Sequence, residues 1–213
     1  MKHNFFYVLV WILFSGLQPI FGQERNQKPI VIIDSGHGGS DTGAIGINGL
    51  KEKEVVLSIA KEVAKLNQAL FNDSLEIYLT RYSDTLISLV DRTKLAKALK
   101  ADVFVSIHFN QAVRRAAHGI EVYVKQGEPR SENLAEQFTI GLNEKLGFKN
   151  RGVKDANFQV LRETTQCPSV LLELGFLSNW EEAEHNGEQS SIIAYALLII
   201  ETLIKFLNYD RSC

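Results

Sequence analysis

Three stretches of this 213-residue chain run apolar or nearly so, without alternation: residues 31–33 (VII), 103–107 (VFVSI) and 170–172 (VLL). A strand that faces water on one side alternates apolar and polar residues, so unbroken runs belong in a sheet covered on both faces. The segments between them carry a helical period instead. Val56, Ile59, Ala60, Val63, Leu66 and Leu70 share one face of a helix that begins at residue 53, and Leu89, Leu95 and Leu99 do the same over 88–101. Residues 131–147 read as a helix with Ser131 as N-cap and Gly147 as its stop. Residues 190–209 read as a long apolar final helix. Further strands are expected at 75–81, 119–125, 158–162 and 168–176, and loops at 35–51 and 149–157. Strands alternating with amphipathic helices imply a single three-layer α/β/α domain with a mostly parallel central sheet. The step from 102–110 to 119–125 is too short for a helical crossover, so the sheet is expected to be mixed.

The termini need separate treatment. Residues 1–22 combine a basic start at Lys2, an apolar core over 5–14 and a small residue, Gly22, before Gln23. This is the pattern of a secretory signal peptide. Its core is shorter than the ~20 residues that span a bilayer. The expected product is an exported protein of the periplasm or cell envelope, with a short segment at 23–28, one domain over 29–209 and a tail at 210–213. Glu201 and Lys205 interrupt the final helix, which therefore reads as a covered soluble helix, leaving no transmembrane segment in the mature chain. A net charge of -2 without a Lys/Arg cluster excludes a nucleic-acid partner. The only two cysteines, Cys167 and Cys213, read as free thiols.

Function enters where the strands end. In sheets of this class, ligands bind beyond the carboxyl ends of the strands. The first strand runs into His37 within "DSGHGG", the strand at 102–107 ends at His108, and the strand at 168–172 ends at Glu173. The loop after the first strand delivers Glu52 to the start of a helix, with Glu54 as an alternative two residues on. Two imidazoles and two carboxylates can thus meet at one rim. Zinc accepts both ligand types, and a catalytic zinc uses three protein ligands, leaving a fourth group free to act as a base. Asp34 could accept from a ligand imidazole or cap the loop.

The blocks "IIDSGHGGSDTGAIG", "GLKEKEVVLSIAKEV", "LTRYSDTLISLVDR", "DVFVSIHFN", "GIEVYV" and "PSVLLELGFLSN" follow in order. In this the chain resembles the zinc-dependent type 3 family of bacterial N-acetylmuramoyl-L-alanine amidases, over residues 29–207. The resemblance implies one zinc ion on His37, Glu52 and His108, and Glu173 as catalytic carboxylate. It implies hydrolysis of the amide joining N-acetylmuramic acid to L-alanine, with peptidoglycan as partner; the expected working form is a monomer. Ser35 stands where the family often has proline, and Phe109 where a small residue is usual. Another zinc hydrolase, such as a carboxypeptidase or deacetylase, and a silent peptidoglycan-binding protein are the competing readings. Some related amidases carry an inserted helix that plugs the site. Residues 125–157 leave little chain for one, so activity without an activator is expected.

Overall fold

The computed structural model describes residues 27–212; the segment at 1–22 expected to be a signal peptide and Cys213 lie outside them. Six strands form one sheet: β1 (Ile30–Ser35), β2 (Glu76–Leu79), β3 (Val103–Asn110), β4 (Ile120–Val124), β5 (Asn150–Asp155) and β6 (Ser169–Phe176). Their order is β2-β1-β3-β6-β4-β5. All neighbours are parallel except β4 and β6, which are antiparallel. The expected mixed, mostly parallel sheet is therefore what the chain forms.

Helices α1 (Glu52–Leu70), α3 (Pro129–Glu144) and α6 (Gln189–Ser212) cover one face. Alternate strand residues such as Val31, Ile33, Val105, Ile107, Val170 and Leu172 point into that core. The other face is thinly covered by α2 (Leu89–Ala98) and the single turn α4 (Gln159–Arg162), over Ile32, Phe104 and Leu171. Asp34, His108, Glu121 and Glu173 follow the register of this thin face, with His108 paired to Glu173 and Glu173 to Glu121. The sheet thus presents polar chemistry where its cover runs out. Within α6, residues 189–208 are long and apolar enough to cross a membrane by composition, but 61% of the window is buried, against the layer formed with α1 and α3.

Three local expectations are corrected and one helix is added. Residues 158–162 are no strand: Phe158 leads into the turn α4, in which Val160 and Leu161 are buried. The sixth strand is β5 instead, inside the expected loop; it pairs with β4 through backbone, with a register shift between Ile120 and Val122. Helix α3 starts at Pro129, a residue suited to the first helical turn. Ser131 is therefore not its cap; its buried hydroxyl accepts from the Ser169 amide at 3.0 Å and ties the helix to β6. Finally, α5 (Trp180–Gly187) was not anticipated; Asn179 caps it by accepting from the Glu182 amide. Cys167 is half-buried, which pushes its thiol up to about 12.

Candidate metal centre and active site

The first strand delivers His37 through a tight backbone. His37 has φ 58°, a left-handed value that costs a non-glycine residue energy and must be held by its surroundings. Two buried arginines hold it. Arg92 donates to the carbonyls of Ser35 and His37, each at 2.8 Å, and is ion-paired with Asp34. Arg81 donates to the carbonyls of Ser35 at 3.1 Å, Gly36 at 2.8 Å and Lys53 at 2.7 Å. The last bond joins the His37 loop to the first turn of α1, where Glu52 sits. Asp34 also accepts from Thr80 and Ser106, both at 2.7 Å, so it serves these partners and no imidazole.

The three rim residues converge. Glu52 Oε1 lies 3.1 Å from His37 Nε2 and 3.0 Å from His108 Nδ1. One donor atom from each of the three fits within a 4.8 Å group. Glu54 is exposed and pairs with Lys51, so it does not reach the cluster. Glu52 is fixed by three further contacts: the Phe109 amide at 2.9 Å, the Ala44 amide at 2.7 Å, and its own amide bound to the Ala44 carbonyl. His37 Nδ1 meets Asp41 Oδ2 at 2.8 Å, which orients the ring with Nε2 toward the cluster. Two glycines make room. A Cβ on Gly36 would fall 2.2 Å from His108 Cε1, and one on Gly43 would fall 2.5 Å from Glu52 Oε2 and 2.6 Å from His37 Cδ2. The glycines around His37 are therefore a packing requirement.

The donor set fits a borderline cation such as zinc: two imidazole nitrogens and one carboxylate, already gathered and oriented. The electrostatics agree. Burial alone would raise the Glu52 carboxyl, but the two imidazoles outweigh it and hold it at about 2. Burial would lower His37, but Glu52 and Asp41 outweigh it and raise it. Glu173, next to His108 on β6, differs: burial, then the charges of Glu52 and Glu121, push it well above the carboxylate range. Its Oε2 is buried with no hydrogen-bond partner. A buried polar atom left unpaired is costly, and a catalytic role is one explanation for such an atom. All four residues line one cavity of about 820 Å³, whose walls include Leu86, Leu89, Asn110 and Phe158.

The sequence reading did not single out Asp41, Arg81, Arg92 or Glu121. Arg81 and Arg92 stand in the "LTRYSDTLISLVDR" block, where an arginine at the end of a strand and another in the first turn of a helix were the available signal. Arg162 and Asn179 lie outside the cluster: Arg162 bonds Asn157, and Asn179 caps α5.

The profile of the N-acetylmuramoyl-L-alanine amidase family matches residues 31–205, and the chain belongs to that family. Among its relatives, LytC, an N-acetylmuramoyl-L-alanine amidase of Bacillus subtilis, is 43% identical over 156 residues, 72% of this chain and 30% of LytC. The chain thus spans less than a third of that relative's length. AmiA, an N-acetylmuramoyl-L-alanine amidase of Escherichia coli, is 32% identical over 227 aligned residues, 85% of this chain and 77% of AmiA. The solved catalytic domain of the amidase CwlV from Bacillus (Paenibacillus) polymyxa superposes with a TM-score of 0.78 at 36% identity, covering 84% of this chain and 98% of that one.

Proposed function

We propose that this protein hydrolyses the amide bond between N-acetylmuramic acid and L-alanine in peptidoglycan. Its metal is one zinc ion held by His37, Glu52 and His108, and its general base is Glu173. The observation that carries this reading is the buried, unpartnered Glu173 Oε2 beside three gathered donors. Membership of the amidase family supports the choice of bond. When bound, zinc would supply Lewis acidity, which polarises an amide carbonyl and makes water more acidic.

The remaining work falls to the chain. An attacking water must lose a proton, and the ionised form of Glu173 can take it at Oε2; a dication bound beside it would favour that form. The departing amine must gain a proton, and the same carboxyl can return it. Glu173 sits on β6 beside its partner His108 and outside the three-donor group, so it stays available as a base. The cavity of about 820 Å³ is large enough to bury a drug-sized portion of substrate. Leu86, Leu89 and Phe158 offer apolar walls against which substrate can pack. Export through residues 1–22 and a monomeric working form complete the proposal, with the catalytic domain at 29–209.

Metal analysis and amine labelling test it together. Purified mature protein should hold close to one zinc per chain and release stem peptides with a new amino group on L-alanine. Stoichiometric zinc in both His37→Ala and His108→Ala would refute the ligand set.

A further inference from the structure

The thin face of the sheet carries a polar row that continues past the catalytic residues. His108 on β3 pairs with Glu173 on β6, and Glu173 pairs with Glu121 on β4. Glu121 is 3% exposed, yet it is charged, and its Oε1 accepts from two cations of β5: Arg151 Nε at 2.6 Å and Lys154 Nζ at 2.6 Å. Its Oε2 accepts from Tyr123 Oη at 2.6 Å and Asn110 Nδ2 at 3.0 Å. The carboxylate lies underneath and the cations above it, with side chains 32% and 38% exposed. One negative charge under two positive ones leaves the cluster's outer surface cationic.

This cluster adjoins the active-site cavity. Asn110 lines the cavity and donates to Glu121; Phe158 lines it too and packs edge-on against Tyr123, with ring centroids 5.2 Å apart. Lys154 Nζ stands 5.8 Å from the centre of the Tyr123 ring. Arg151 is braced over Phe176 at 5.0 Å, and its Nη1 reaches the His118 carbonyl at 3.4 Å. Both cations keep donors to spare: an ammonium has three N–H groups and a guanidinium five. Edge strands often carry lysine to deter pairing, which is the plain alternative for Lys154. That role does not call for a charged carboxylate buried beneath two cations.

We propose that Lys154 and Arg151 form a subsite for a free carboxylate of the stem peptide, carried on the second residue from the scissile bond. The inference rests on the amidase reading. Neighbouring strands lie about 4.8 Å apart, so the Lys154 backbone stands about 10 Å from the strand that carries Glu173, while its ammonium reaches back over β4 to Glu121, the residue paired with Glu173. Both cations therefore fall within the reach from the scissile nitrogen of two residue steps of about 3.4 Å each and one hydrogen bond. The glycan then lies on the other side, toward Leu86 and Leu89. The subsite distinguishes a free carboxylate from a carboxamide at the same position, because the carboxamide brings no charge to the cations.

The test uses the zinc-loaded mature protein and two synthetic N-acetylmuramoyl dipeptides, which differ only in a carboxylate or a carboxamide on the second residue. Release of L-alanine's amine from either dipeptide tests the amidase reading alone. The ratio of their kcat/KM values tests the subsite. The wild type should favour the carboxylate about fivefold, the worth of one partly exposed ion pair, through KM. Lys154→Gln and Arg151→Gln should each bring the ratio toward one, and Lys154→Arg should restore it. If one glutamine variant fails to fold, the other reads the same ratio. A wild-type ratio near one, or a preference that survives in both glutamine variants, overturns the subsite while leaving the amidase reading standing.

Discussion

The two flanks of the site are built from the same materials and used differently. On the β1 flank, Arg81 and Arg92 are each 3% exposed and spend their donors on backbone carbonyls around His37 and on Asp34. On the β5 flank, Arg151 and Lys154 are about one-third exposed and share a single carboxylate, Glu121. Buried arginines fix a strained loop, while half-exposed cations keep hydrogen-bonding capacity for a ligand. A metal centre needs donors held to a few tenths of an ångström, and a substrate groove needs groups that water can still reach.

The comparison can be broken at graded cost. The largest effect is expected at the ligands: His108→Ala should remove most bound zinc, checked by metal analysis, and reduce hydrolysis to background. Next comes Glu173→Gln, which keeps shape but cannot take a proton. Turnover should fall by about 10²–10⁴ with zinc retained, measured as kcat beside metal content.

Arg92→Ala acts on stability. It leaves the Asp34 carboxylate buried, with only Thr80 and Ser106 as partners. Breaking a buried pair in this way costs about 3–5 kcal/mol, which urea unfolding would read. The matching change on the other flank, Lys154→Gln, should cost less than about 1 kcal/mol, because the Lys154 side chain is 38% exposed and Arg151, Tyr123 and Asn110 still satisfy Glu121. Equal costs on the two flanks would erase the distinction.

Acid sharpens it further. Burial would raise Glu121, but Lys154, Tyr123 and Arg151 outweigh it and bring it from 4.5 to about 2. A depressed carboxyl stabilises the fold fully above its unfolded value and loses that contribution as pH falls through its folded one. In metal-free protein, the Tm difference between wild type and Glu121→Gln should therefore shrink as pH falls from 4.5 to about 2. His37 works in the opposite sense. Its raised pKa means that protons compete with the metal already above pH 6.5, so zinc affinity should still be rising with pH there in a chelator competition.

Much of the architecture was legible from the chain. Unbroken runs such as 103–107 read as central strands; His108 and Glu173, expected where strands end, instead lie within β3 and β6, which continue to Asn110 and Phe176. Strand β5 was not legible because "NRGVKD" has a single apolar residue and gains its place through backbone pairing with β4. The turn α4 was misread for the opposite reason: "FQVLR" has the composition of a strand, but its buried Val160 and Leu161 cap the thin face. The convergence of His37, Glu52 and His108 was readable as an expectation from register. The arginine braces were not, because apart from the Arg92–Asp34 pair their partners are backbone carbonyls, which leave no mark in side-chain sequence. Asp34 was considered as the partner of an imidazole, whereas Asp41, four residues after His37, has that place.

The most direct test of the central claim is mass spectrometry of purified peptidoglycan digested by the mature protein, with zinc, with a chelator, and with Glu173→Gln. The account predicts free stem peptides beginning with L-alanine and intact glycan strands in the first digest, and neither product in the other two. Cleavage at any other bond, or release of L-alanine-terminated peptides that persists with the chelator and in the Glu173→Gln digest, would contradict it.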